Sequence, residues 1–245
     1  MLILDELTQL KNELDDRRPL PSITVQKLKE DFLIRNTYHS NAIEGNTLTI
    51  YETKVILEDG ITVGGKSMRE LLEAINHRDA ILFLEEILLE PLTERLIKEI
   101  HHLVLRGIDT KSAGVYRTRE VIISGASHEV TPVHRIQEEM EQLLDWYKHA
   151  NDIHPVEKAM LVHSKFVNIH PFIDGNGRTS RLLMNLELIR YGYLPVTIQI
   201  EERLAYYEAL DIVALKKDYS LFIKLVAARE KETLLRYLSL MPNRE

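Results

Sequence analysis

The chain has 245 residues, a formal net charge of −7, 44% hydrophobic and 28% charged residues. That balance supports a substantial core in one large domain, and the acidic excess argues against a broad nucleic-acid surface. With no cysteine, disulfides, thiolate metal sites and cysteine nucleophiles are excluded.

The N-terminus, MLILDELTQLKNELDD, turns acidic at Asp5 and has no signal-peptide pattern. No apolar run approaches the roughly 20 residues of a membrane helix. A soluble, cytoplasmic protein without membrane or nucleic-acid partners is expected.

Helical periodicity dominates. A first helix is predicted over about 3–16, closed by RRPLPS, and a second from about 22 to Glu44, ended by Gly45. Thr49 caps a short helix to about Glu58, and DGITVGGKS is a loop. Lys66 to Leu89 reads as a long helix, stopped before Pro91. Thr93 caps the next, whose stripe is Leu96, Ile100, Leu103 and Val104. RTREVIISGASHEVTP breaks the pattern and predicts a small β-hairpin at about 119–131, with Val121, Ile122 and Ile123 in its first arm. Helices resume at about 134–150, 155–169, 178–191, 201–216 and 219–239. The fold class is therefore all-α with one hairpin. A boundary near 60–66 would divide an N-terminal helical region, 1–65, from a core, 66–245; one compact unit fits the same pattern.

The stretch HPFIDGNGRTSR, 170–181, carries the chemistry. Pro155 opens the preceding helix. Its stripe of Val156, Ala159, Met160, Phe166 and Val167 makes it central, with His163 a satisfied core histidine within it. His170 stands at the helix end, where Pro171 forces the chain out. Phe172 and Ile173 pin the turn. Asp174 follows, and Gly175, Asn176 and Gly177 permit an anion-binding nest at the start of the next helix. Arg178 and Arg181 share one helix face with Asn185, opposite Leu182, Leu183, Leu186 and Ile189, so they stand off the core. Two cations at the positive end of a helix make sense if a polyanion docks there. Asp174 with a nest suits Mg²⁺-bound phosphate, and a nearby imidazole suits deprotonation of a hydroxyl.

These residues match at every specified position the signature of the Fic family, H-P-F-x-[D/E]-G-N-G-R-x-x-R. The chain resembles that family from about Asn36 to about Thr233, most of all the proteins that include the metazoan endoplasmic-reticulum AMP transferase. The resemblance implies a helical bundle around a central motif helix pair with a β-hairpin flap. It implies transfer of AMP from ATP to a Ser, Thr or Tyr hydroxyl of a protein, including itself, with release of pyrophosphate. By that resemblance His170 would be the general base and Asp174 would hold Mg²⁺ across the α- and β-phosphates. Gly175, Asn176 and Gly177 would form the anion hole, Arg178 would assist, and Arg181 would bind the γ-phosphate. Phe172 would be a buried anchor, and the flap would align a target segment by strand addition. Glycine at 177 favours nucleotidyl transfer over the phosphorylation of a relative with lysine there.

SNAIEGN, 40–46, resembles the family's inhibitory motif, [S/T]-x-x-x-E-[G/N], with Ser40 and Glu44 at its fixed positions. By itself Glu44 reads as a solvated acid at a helix end; the resemblance pairs it with Arg181 as a brake in cis. Removal of AMP, with Glu44 positioning water, is the alternative activity. Tyr206 and Tyr207 fall in a region that lines the nucleotide pocket in relatives, and read equally as packing aromatics. Ala214 stands where relatives often carry an adenine-contacting asparagine, which leaves transfer of another nucleotide open. A homodimer is the default assembly. His101, His102, His128, His134 and His154 show no di-metal spacing, Gly177 argues against a kinase, and His170 with Asp174 argues against a pseudoenzyme.

Overall fold

The computed structural model describes residues 2–19, 22–123 and 127–241. Within them lie ten α-helices: α1 Leu2–Asp16, α2 Ser22–Ile43, α3 Ile50–Asp59, α4 Met68–Glu86, α5 Glu94–Leu105, α6 Ile136–His149, α7 Pro155–Ile169, α8 Asn176–Arg190, α9 Arg203–Lys216 and α10 Ser220–Ser239. Their starts follow from local chemistry. Thr49 with Glu52 and Ser67 with Glu70 form capping boxes for α3 and α4, and Thr93 accepts from Leu96 N at 3.2 Å to open α5. Gly60, at φ +67°, closes α3 in the left-handed region that favours glycine.

α7 and α8 make the most extensive helix contact and feed two cores at once. Met160 and Val156 of α7 join Met184 and Leu188 of α8 in a core completed by α1, α9 and α10. Val162 and Phe166 join Leu183 and Leu186 in a second, completed by α4, α5 and α6. Leu7 and Leu14 of α1 are fully buried in the first, each worth about 1.5–3 kcal/mol. The core therefore crosses residue 65 without a break.

The hairpin expected at 119–131 is corrected: no strand ladder forms among the described residues, and its turn at 124–126 lies outside them. Side chains take the groups a ladder would pair. Buried Arg117 donates to the carbonyls of Arg119, at 3.2 Å, and of Thr131. Glu120 accepts from Val133 N at 3.0 Å. Asp211 of α9 accepts from Ser127 N at 3.1 Å and pairs with His128 at 2.9 Å.

Desolvation keeps four imidazoles neutral: His77, His101 and His163 are buried, and His170 is partly so. Burial pushes His77 down to about 3, His101 and His170 to about 4, and His163 well below its usual value. As pH falls below 6.5, the unfolded chain takes up protons that these four refuse when folded. Stability is thus lost on acidification across that window, each histidine contributing in the same direction. Glu230, pushed up to about 8 by burial, and Glu187, also raised by burial, run the other way, two carboxyls against four imidazoles. Thermal melts should show Tm falling steadily from pH 7 to pH 5; a flat or rising Tm would contradict the neutral burial of these rings.

Candidate active site at the junction of α7 and α8

His170 caps α7 in the left-handed region, at φ +52° and ψ +56°. A β-carbon there costs roughly 1–2 kcal/mol, so the surroundings must hold it. Its N–H bonds Phe166 O at 3.1 Å. Arg117 clamps the junction from outside, Nε to His170 O at 2.8 Å and N–H to Pro171 O at 2.9 Å. Burial lowers the His170 imidazole, with the Val167 carbonyl pulling it back and Arg117 pushing further down. At neutral pH the ring is uncharged and able to accept a proton.

The turn after it is locked from within. The Asn176 side chain accepts from Phe172 N at 3.0 Å and donates to Phe172 O at 2.9 Å. Phe172 is fully buried and stacks on His101, ring centroids 3.5 Å apart. His101 Nδ1 accepts from Gly114 N at 2.8 Å, so its Nε2–H donates to Asp174 O, also at 2.8 Å. Gly175, at φ +77°, is the N-cap of α8, which opens at Asn176 rather than Arg178. The first N–H groups of α8 have no intrahelical acceptor. Asn176 can serve an anion only through its backbone, because its side chain is spent on the loop.

Asp174 accepts from Gly175 N at 2.5 Å, from Arg178 Nη2 at 3.2 Å and from Arg69 Nη2 at 2.5 Å. Burial would raise this carboxyl, but Arg178, the Gly175 N–H and Arg69 hold it below the usual range. The two motif arginines correct the expectation that they stand off the core: Arg178 is 2% exposed and Arg181 3%. α8 is buried on all faces, and its polar face is covered by α2 and α4 instead of water. Arg178 lies 3.4 Å from Glu73 of α4. That ion pair is made by Nη1, while Nε is buried without a hydrogen-bond partner among the described residues, a costly state for a guanidinium donor.

Arg181 donates to Ser40 Oγ at 2.9 Å, Ser40 O at 2.8 Å, Glu44 Oε1 at 2.8 Å and Tyr206 Oη at 3.3 Å. Glu44 thus pairs with Arg181. A methyl group on Gly177 would overlap Glu44 Oε1 and lie 3.2 Å from Arg181 Nη1. The carboxylate therefore rests on the bare start of α8, where a negative group is favoured. Tyr206 is 1% exposed and lies beneath the site, touching Arg181 instead of lining an open pocket. Tyr207 is more exposed and donates to Ile43 O at 3.1 Å. In the flap segment, Ile122 is 95% exposed, with Val121 and Ile123 half-buried beside it. Sequence reasoning missed Arg69, Glu73, His101 and Arg117, which reach the site from other elements and carry no local signature.

Residues 91–188 match the family model described as Fic/DOC. The chain is 36% identical over 242 residues to "Protein adenylyltransferase Fic" of Nematostella vectensis, covering 94% of this chain and 56% of that protein. It superposes on a structure of a segment of Fic-1 from C. elegans with a TM-score of 0.87 at 34% identity, covering 97% of this chain and 71% of that one. A Fic-domain signaling protein from Bacteroides thetaiotaomicron gives 0.86 at 28% identity, covering 97% of each. The chain spans about half the length of the curated relatives it matches.

Proposed function

The chain belongs to the Fic/DOC family, and from that membership we propose that it is a protein adenylyltransferase, moving AMP from ATP to a protein hydroxyl and restrained by Glu44. One observation carries this reading: a neutral imidazole, a helix start and two buried guanidiniums meet in a single locked turn. The ATP phosphates would lie on the backbone of Gly175 to Gly177 and the start of α8. Arg178, now held between Glu73 and Asp174, would assist with one phosphate group and Arg181 would take the γ-phosphate. His170 would accept the proton of a Ser, Thr or Tyr hydroxyl as its oxygen bonds the α-phosphorus. The bond to the β-phosphate oxygen breaks on the opposite side, and pyrophosphate leaves with the bonding pair. Residues 121–123, whose backbone joins no ladder, would receive the target as an added strand beside exposed Ile122.

Asp174 fits Mg²⁺. No cluster of three or more His, Cys, Asp or Glu forms a cage among the described residues. A lone carboxylate with phosphate oxygens and water is the arrangement that ion favours. Bound there, it would supply charge neutralisation on the phosphates. Arg69, which covers Asp174 Oδ2, would have to yield.

Gly177→Ala separates the helix start from the brake. The added methyl displaces Glu44 yet fills the same ground as a phosphate. Titration should show weaker binding of Mg-ATP, by about tenfold or more on the loss of a charge-assisted contact, with no gain of activity. Unchanged affinity would contradict phosphate binding at this turn. The reaction itself is tested with ATP labelled at the α- or the γ-phosphate. Label on protein from the α-position alone supports AMP transfer; label from the γ-position alone means a kinase.

A further inference from the structure

A buried hydrogen-bond chain leads from Arg181 away from the site. Arg181 Nη1 donates to Tyr206 Oη at 3.3 Å, and Tyr206 Oη lies 2.9 Å from His163 Nε2. His163 is fully buried in α7, between Tyr206 and Phe222. Ser180 Oγ is 3.1 Å from the same Nε2, but its proton goes to Gly177 O at 2.8 Å.

The donors and acceptors settle the direction. A guanidinium only donates, so the Tyr206 oxygen must accept from Arg181. The phenol proton then needs an acceptor of its own. Among the described residues, the acceptor within hydrogen-bond distance is His163 Nε2. The ring proton therefore sits on Nδ1, which is buried without a partner. That costs free energy, in a helix whose neighbouring positions hold Met160, Val162 and Phe166. An aliphatic residue would avoid the cost but could not receive the Tyr206 proton. Burial, reinforced by the Arg181 charge, keeps the imidazole neutral, so it remains an acceptor.

The other contacts of Arg181 all come from α2 or the residue just past its end: Ser40 Oγ, Ser40 O and Glu44 Oε1. Tyr206 is its contact from a different element. When Glu44 withdraws, the Tyr206–His163 pair is the support that does not depend on α2. We infer that His163 is a positioning residue for nucleotide binding: through Tyr206 it keeps Arg181 aimed at the γ-phosphate once Glu44 has left. This rests on the reading of Arg181 as the γ-phosphate contact.

The test uses the full chain carrying Glu44→Gly and measures Kd for Mg-ATP and for Mg-ADP. The parent should bind ATP about tenfold more tightly than ADP, as one charge-assisted contact to the γ-phosphate would give. His163→Phe and Tyr206→Phe should each reduce that preference to near unity while ADP affinity stays within about twofold. His163→Gln, whose amide oxygen can still accept, should retain it. Should His163→Phe lose its cooperative melt, Tyr206→Phe and His163→Gln decide. Full ATP preference in the phenylalanine variants overturns the inference and leaves the γ-phosphate reading standing. Equal loss of ATP and ADP affinity means a structural role only and also overturns it. A parent that binds both nucleotides alike overturns the γ-phosphate reading and the inference with it.

Discussion

Glu44→Gly raises self-labelling from α-labelled ATP by roughly tenfold to 150-fold, the range of about 1.5–3 kcal/mol for a hydrogen bond to a charged group. Glu44 Oε1 lies 2.8 Å from Arg181 Nη2 and rests on Gly177. It thus holds both the cation and the ground that a γ-phosphate would use. Removing it frees Arg181 without opening a cavity in either core, because Glu44 lies just past the end of α2 and is itself partly exposed. The next residue, Gly45, already turns the chain at φ +99°, so glycine at 44 meets no strain. Tm should stay close to that of the parent. Glu44→Gln keeps a hydrogen-bonding group and loses the charge, and should fall between. Side-by-side labelling of parent and variant at matched concentrations checks this; equal labelling would remove the brake.

His170→Ala in the Glu44→Gly background lowers transfer by about 10²- to 10⁴-fold, the typical contribution of a general base. The ring is held at a locked turn and is neutral at working pH, so its loss removes the proton acceptor and leaves the phosphate ground intact. Mg-ATP affinity should therefore be nearly unchanged while turnover collapses. Alanine meets the β-carbon clash of the left-handed region as histidine does, and the Tm of the variant checks that the turn is kept. Measuring Kd and turnover on one preparation separates the roles. Retained turnover would exclude the imidazole as the base; lost binding together with lost turnover would point to a collapsed turn.

The helices were legible because their starts and stops are written locally. Thr49, Thr93 and Pro155 act within one turn of where they sit. The site was legible for a similar reason: residues 170–181 are contiguous, so one stretch brings base, carboxylate and arginines together. The burial of Arg178 and Arg181 was not. A helix face shows which residues lie together, but not that α2 and α4 cover that face. Arg69, His101, Arg117 and His163 act across 17 to 105 residues of chain, and nothing beside them marks the distant partner. The flap failed as a ladder because Arg117 and Asp211 compete for its backbone, a contest that β-propensity alone does not record.

The most direct measurement is a crystal structure of Glu44→Gly grown with Mg²⁺ and a non-hydrolysable ATP analogue. The triphosphate is predicted on the backbone of Gly175 to Gly177, with its γ-phosphate on Arg181 and its α-phosphate on the His170 side. A triphosphate lodged away from the start of α8, or one that leaves Arg181 unbound, would contradict the assignment of this turn as the seat of the reaction.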